Sequence, residues 1–217
     1  MIRFVLLNPN TSGAATAMMV GIARAALGDA TTIEGMTAHA GAPLITDPAA
    51  LMAAATEVAA MAETISEQAV SGVLVAAFGD PGLDAARARL SVPVTGLAEA
   101  AIRAAAAGGR RFSIVTTTPA LDEAIRSRVA SSGMGANFAG IRYTRSGPGG
   151  MVDPDRLHDE LSEACERAVS QDRADAIIIG GGPLAAAARR LRQTVSALLI
   201  EPIPVAAQLM LSRAIDV

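Results

Sequence analysis

Short apolar runs alternate with longer Ala-rich or amphipathic stretches along the whole chain. An unbroken apolar run is the pattern of a strand buried on both faces of a parallel sheet, and its alternation with helical stretches is the pattern of βαβ units. The runs predict strands starting at Phe4 and over 31–36, 71–77, 92–95, 112–116, 140–144, 176–179 and 197–200. The stretches between them predict helices over 14–27, 48–69, 84–90, 97–107, 119–131, 154–170, 184–192 and 205–213, with 146–150 a loop. Local chemistry supports several helix starts. Thr11 or Ser12 can cap the first, and Asp47-Pro48 and Asp153-Pro154 each pair an N-cap residue with Pro at the first helical position. Asp122 and Glu123 occupy a first turn, where the helix dipole favours them, and Gly108-Gly109 closes the helix ending near 107.

The pattern also repeats. A strand leading into a hydroxyl or amide turn precedes a strand leading into a Gly-rich turn, and this happens twice. The first pair ends in Asn8-Pro-Asn-Thr-Ser12 and Ala77-Phe-Gly-Asp-Pro-Gly82, the second in Thr116-Thr-Thr-Pro119 and Gly180-Gly-Gly-Pro183. Segments beyond the carboxyl ends of parallel strands are where open α/β sheets bind ligands. The expected fold is therefore α/β, with two pseudo-symmetric lobes of parallel sheet flanked by helices and an active-site cleft between them. The first lobe is expected over 1–97 plus about 203–217 and the second over 98–202.

Composition narrows the function. Aromatic residues are only 2% of the chain, with no Trp, so stacking recognition of single-stranded nucleic acid is not expected. The net charge of -3 agrees. All 18 basic residues are Arg. The absence of Lys excludes a Schiff-base lysine, a phosphate-loop lysine and a lysine general base. Cys165 is the single cysteine, so no intramolecular disulfide forms. With no span-length apolar run and no charged leader, a cytoplasmic setting without membrane contact is expected.

Leu7-Asn-Pro-Asn-Thr-Ser12, Ala77-Phe-Gly-Asp-Pro-Gly-Leu83, Thr95-Gly-Leu-Ala-Glu-Ala100, Phe112-Ser-Ile-Val-Thr-Thr117 and Ala174-Asp-Ala-Ile-Ile-Ile-Gly180 resemble, in order, the motifs of the hydantoin racemases within the Asp/Glu racemase superfamily. The resemblance implies two α/β lobes, a small-molecule site between them, a homo-oligomer, and cofactor-free chemistry in which two cysteines face each other across the substrate's acidic carbon. The family's first cysteine falls on Ala77 and its second on Gly181, and neither residue can transfer a proton. Cys165 does not replace them. Leu157, Leu161, Ala164, Cys165 and Ala168 form the apolar face of a helix, and a free Cys there is core.

The candidate site follows from the four turns. Asn10, Thr11 and Ser12, beside Asn8, offer donors and hydroxyls to a carboxylate or to the edge of a cyclic amide. Turn formation and capping are the plain alternative. Thr116 and Thr117 form the matching clamp, with Thr117 or Thr118 expected to cap the following helix. Ala77 and Gly181 are the thiol positions, with Phe78 and Gly182 beside them, and Gly79, Gly82 and Gly180 to Gly182 can supply backbone N–H groups that stabilise an enolate oxygen. Asp80 is the ionisable group nearest the first thiol position and a candidate base, against a plain role capping the helix that follows it. His39, on the loop after the second strand, is a second candidate. Glu99 is a supporting group, His158 belongs to a solvated face and Tyr143 to strand packing. Nothing in the spacing calls for a metal.

The substrate expected is a small carboxylate or cyclic amide, and the reaction is proton transfer next to a carbonyl by non-cysteine groups. Two alternatives stay open. One is a hydrolase or lyase on the same scaffold, using Asp80 or His39 with water. The other is a binding protein, natural or engineered, that keeps the pocket without the thiols.

Overall fold

A computed structural model describes residues 2–65, 70–181, 184–192 and 194–216. The chain divides into two compact units, Met1–Ala100 with Ile203–Val217, and Ala101–Pro202. The first unit holds β1 (Ile2–Asn8), α1 (Gly13–Leu27), β2 (Thr31–Thr37), α2 (Pro48–Ile65), β3 (Gly72–Val75), α3 (Leu83–Arg89) and β4 (Val94–Gly96). Helix α4 (Leu97–Ala106) leads into the second unit. There follow β5 (Phe112–Thr116), α5 (Asp122–Ser131), β6 (Phe138–Tyr143), α6 (Pro154–Ser170), β7 (Ala176–Gly180), α7 (Ala185–Leu191), β8 (Leu198–Ile200) and the closing α8 (Pro202–Ile215).

Each unit carries one four-stranded parallel sheet, ordered β2-β1-β3-β4 in the first and β6-β5-β7-β8 in the second. The two orders are the same topology used twice, which is the repeat that the turns announce. In the first sheet Val5, Leu7, Val73, Val75 and Val94 pack on Val58, Met61, Ala62 and Ile65 of α2 and on Leu83 and Ala86 of α3. The opposite face takes α1 and α8. A Cβ at Gly72 would lie 3.2 Å from Met210 Cγ of α8, and Gly35 lies against Thr16 and Val20 of α1. In the second sheet Val115, Ile177 and Ile179 pack on Leu157, Leu161, Ala164, Cys165 and Ala168 of α6 and on Ala187, Ala188 and Leu191 of α7. Each buried Leu or Ile contributes about 1.5–3 kcal/mol, and Phe4 of β1 and Phe112 of β5 are the fully buried aromatics of the two sheets.

Strand β4 is an edge. Its Val94 carbonyl accepts from Arg87 Nε at 3.1 Å and Nη2 at 3.0 Å, and both Arg87 and Arg213 of α8 pair with Glu99. These side chains cover the edge from further pairing. Burial raises the Glu99 carboxyl, but the bonds and charges of Arg213 and Arg87 outweigh it and leave the group below its ordinary range.

Several expected boundaries differ. The fourth strand is Val94–Gly96 rather than 92–95; Pro93, which has no N–H, joins only by accepting from Val73 N–H. The helix expected from Pro119 opens as a 3₁₀ turn, Pro119–Leu121, and the loop expected after β6 contains a 3₁₀ turn, Gly147–Val152. Helix α8 begins at Pro202, not 205, because prolines are tolerated in a first turn where no N–H is needed. The tail of the second helix expected over 66–69 lies outside the described residues. No described helix is long and apolar enough to cross a membrane.

Candidate functional site

In each sheet the chain leaves its first strand toward one side and returns on the other, so the order reverses between β1 and β3 and between β5 and β7. The carboxyl ends at such a reversal are where α/β sheets place ligands. All four turns singled out in the sequence lie at these two reversals.

At the first, Asn8 is fully buried and organises the turn. Its Nδ2 donates to Asn10 Oδ1 at 2.9 Å, to the Ser12 carbonyl at 3.1 Å and to Thr16 Oγ1 at 2.9 Å, while its Oδ1 accepts from Asn10 N–H at 3.2 Å. Asn10 is 7% exposed, and its Oδ1 also accepts from Ser12 N–H. Its amide nitrogen has no partner among the described residues. Ser12 is the N-cap of α1, accepting from Ala15 N–H at 3.2 Å. Thr11 gives its N–H to the Ala42 carbonyl, which ties the loop after β2 to this turn. The Thr11 hydroxyl makes no bond to a described residue.

Beyond β3, Ala77, Phe78 and Gly79 are half-buried. Asp80 is 1% exposed with a left-handed φ of 51°. Its Oδ1 accepts from Ala98 N–H at 2.7 Å and its Oδ2 from Glu99 N–H at 2.8 Å. It therefore caps α4, not the adjacent α3, whose N-cap is Gly82 without a side-chain bond. His39 is exposed; its backbone N–H, like that of Ala40, donates to Glu57.

At the second reversal Thr116 and Thr117 are each 2% exposed. Thr116 Oγ1 donates to the Gly180 carbonyl at 2.7 Å, joining β5 to β7, and lies 3.2 Å from Thr118 Oγ1. Thr118 occupies the N-cap position of the 3₁₀ turn but makes no side-chain cap; its hydroxyl faces Thr116 instead. Gly181 is half-buried at φ 142°, and a Cβ there would stand 3.3 Å from Leu184. Any side chain at this position would be strained. Gly182 lies outside the described residues.

Three features were not singled out from the sequence. Thr16, one turn into α1, is where Asn8 and Thr37 meet, with Thr16 and Thr37 hydroxyls 2.6 Å apart. Thr144, just past β6, is 5% exposed, and its buried hydroxyl has no partner. Its place at a strand end was the available signal. Glu160 takes the Ser146 hydroxyl, the Ser146 N–H and Arg156, which anchor the loop after β6 and lower its carboxyl from 4.5 to about 2.

Other side chains fall outside the turns. Cys165 is fully buried in the α6 core, and burial pushes its thiol up to about 12. Tyr143 does more than pack: its hydroxyl donates to Asp122, and burial with that bond raises its phenol. His158 is half-buried with its Nδ1 enclosed and unpartnered, not on a solvated face. Among the described residues no three His, Cys, Asp or Glu side chains gather in a group that could hold a metal ion.

The segments 8–12, 76–82, 116–119 and 180–184 contain no basic residue, so their donors are uncharged amides, hydroxyls and backbone N–H groups. Such turns can hold a neutral polar ring or spread the charge of an enolate.

Relatives agree with this architecture. An allantoin racemase from Klebsiella pneumoniae is 33% identical, with a TM-score of 0.90 over 98% of this chain and 87% of that one. An allantoin racemase from Pseudomonas fluorescens is 26% identical, also with a TM-score of 0.90, over 97% and 90% of the two chains. A hydantoin racemase from Pseudomonas sp. (strain NS671) is 30% identical over 209 residues, 92% of this chain and 80% of the relative. The family model for Asp/Glu/hydantoin racemases matches residues 5–210. Matched over nearly its whole length, and built from the same repeated strand order with its candidate turns at both reversals, the chain belongs to the Asp/Glu/hydantoin racemase family.

Proposed function

We propose that this racemase-like protein binds a small ring of the hydantoin or allantoin type and moves the proton on the carbon next to a ring carbonyl without a thiol. The observation that carries the reading is the Asn8-anchored turn. It holds Asn10 nine-tenths buried with its amide nitrogen unpaired, beside the N-terminus of α1. That nitrogen is not enclosed, so it presents a donor held in place by the turn, which a ring carbonyl can take from solvent. The Thr11 hydroxyl, the Ser12 cap and the backbone of Ala77, Phe78 and Gly79 are the further contacts proposed in the first unit. Thr116, Thr117, Gly181 and Gly182 are the candidate ligand contacts within the second unit. Turns without a basic residue favour a neutral cyclic amide over a free carboxylate, which would lack a cationic partner there.

The thiol positions carry Ala77 and Gly181, so the proton must move through another group. Asp80 is held by α4, and His39 is the histidine on the loop tied to the β1 turn. The proposal gives His39 the proton, taken through water. The proposed setting is the cytoplasm and the proposed state a homo-oligomer; light scattering on the purified protein checks the oligomeric state.

The test follows enantiopure hydantoins and allantoin in D2O by NMR, with chiral chromatography. Slow exchange of the ring C–H above the uncatalysed rate is expected, falling about 10²-fold in His39→Ala. Fast two-way racemisation would show that thiol-free positions 77 and 181 had been misjudged. Absence of both binding and exchange would sink the proposal.

A further inference from the structure

We infer that Asp80 is a positioning residue: its carboxylate clamps the Ala77–Gly79 turn to the N-terminus of α4, and Gly96 is the seat that lets it do so. The inference rests on the proposed reading of that turn as substrate-binding.

Three observations meet here. Asp80 is 1% exposed, and its two oxygens accept from consecutive backbone N–H groups, Ala98 at 2.7 Å and Glu99 at 2.8 Å. A carboxylate on the first amides of a helix is held by charge-assisted bonds and by the helix dipole. The backbone at Asp80 is left-handed, φ 51°, a conformation few residues other than Gly enter, although Asp tolerates it better than most. Such a conformation persists where surrounding bonds over-determine it. Its N–H donates to the Ala77 carbonyl at 3.1 Å and its carbonyl accepts from Leu83 N–H at 3.3 Å, so the residue also closes the turn on itself. Finally, a Cβ at Gly96 would stand inside van der Waals contact with the Asp80 carboxylate carbon and both of its oxygens. Position 96 must therefore lack a side chain for the clamp to close.

Each oxygen accepts one of these backbone bonds, so the carboxylate is held in place by the helix it caps. Asp80 thus acts through the turn: it sets where Ala77, Phe78 and Gly79 stand, and a misplacement of about 1 Å in such a segment can cost about 10²-fold in rate.

Two single variants test this from opposite sides. Asp80→Asn removes the charge, whereas Gly96→Ala keeps the carboxylate ionisable and evicts it from its seat. Amide hydrogen exchange on the ligand-free protein is read first, because it does not depend on any substrate. Both variants are expected to raise exchange at Ala98 and Glu99 at least 10-fold and to raise it at residues 77–79 as well, with the double variant no worse than either. Hydantoin affinity, measured by NMR titration, should fall about 10-fold in each, and the residual proton exchange should keep the wild-type pH profile. Unchanged amides at 77–79 in Gly96→Ala would overturn the inference. So would an Asp80→Asn protein whose turn is unmoved but whose pH profile has lost a limb, since that is the signature of a base. If wild-type protein fails to bind hydantoin, the functional proposal fails, while the exchange data still decide the clamp. Should Asp80→Asn not fold, Gly96→Ala alone carries the test.

Discussion

Replacing Asn8 with Ala is expected to cost about 2–4 kcal/mol of stability and at least 10-fold in hydantoin affinity. The side chain is fully buried and makes four bonds, at 2.9, 3.1, 2.9 and 3.2 Å. Their loss is not uniform. The Ser12 carbonyl still accepts from Thr16 N–H at 3.1 Å, Asn10 Oδ1 keeps Ser12 N–H at 2.9 Å, and Thr16 Oγ1 keeps Thr37 at 2.6 Å. Asn10 N–H loses the partner it has and is left buried without one, at about 1–3 kcal/mol. The other three lost bonds add about 0.5–1.5 kcal/mol each at most, reduced because their partners retain a second bond. Urea unfolding with an unchanged m-value measures the sum. Asn8→Asp sharpens the argument. It keeps an acceptor for Asn10 N–H but sets a carboxylate against Asn10 Oδ1 and the Ser12 carbonyl. Its penalty should therefore shrink as pH falls and the new acid gains a proton to donate. A cost of Asn8→Ala below about 0.5 kcal/mol, the level of an ordinary surface change, would refute the claim that this residue organises the turn.

Two further outcomes follow from buried groups of the second unit. Because its thiol is enclosed and pushed up to about 12, Cys165 should resist iodoacetamide at pH 8 by mass spectrometry until the protein is unfolded. Rapid labelling of the native protein would contradict that burial. Glu160 is lowered from 4.5 to about 2 by Ser146 and Arg156, so its folded form holds protons less readily than the unfolded chain. Its stabilisation is complete above about pH 4.5 and is lost as pH falls toward 2. Acid titration of unfolding in Glu160→Gln should be flatter than wild type across that window, and identical curves would exclude the Ser146 anchor.

Much of the fold was legible because it is written in local pattern. Parallel strands buried on both faces need continuous apolar runs, and those at Phe4, Val73, Phe112 and Ala176 all form central strands. The caps by Ser12 and Asp153 involve donors two or three residues away, and Asp47 likewise takes Ala50 N–H. Reading was poorer where two weak signals compete. Pro93 within an apolar run shortens β4, and Pro202 and Pro204 lie inside the first turn of α8, ahead of the expected start at 205. For the candidate site, the four turns were visible as residue types, but Asn8 was read as one amide among several and Thr144 only as a strand end.

Local pattern carries the α/β class, the repeated strand-and-turn arrangement, the family motifs and the burial of Cys165, all of which depend on near neighbours or on the periodicity of one element. The distant pairings come from the packed fold. Asp80 suits a cap of the helix beside it, yet it reaches Ala98, 18 residues on. Thr116 suits a ligand clamp, yet it gives its proton to Gly180, 64 residues on. Gly96 carries no visible role until a carboxylate is found seated on it. Which strand lies beside which sets these pairings, and that order is fixed by helix crossovers and packing across the whole sheet rather than by any short stretch of residues.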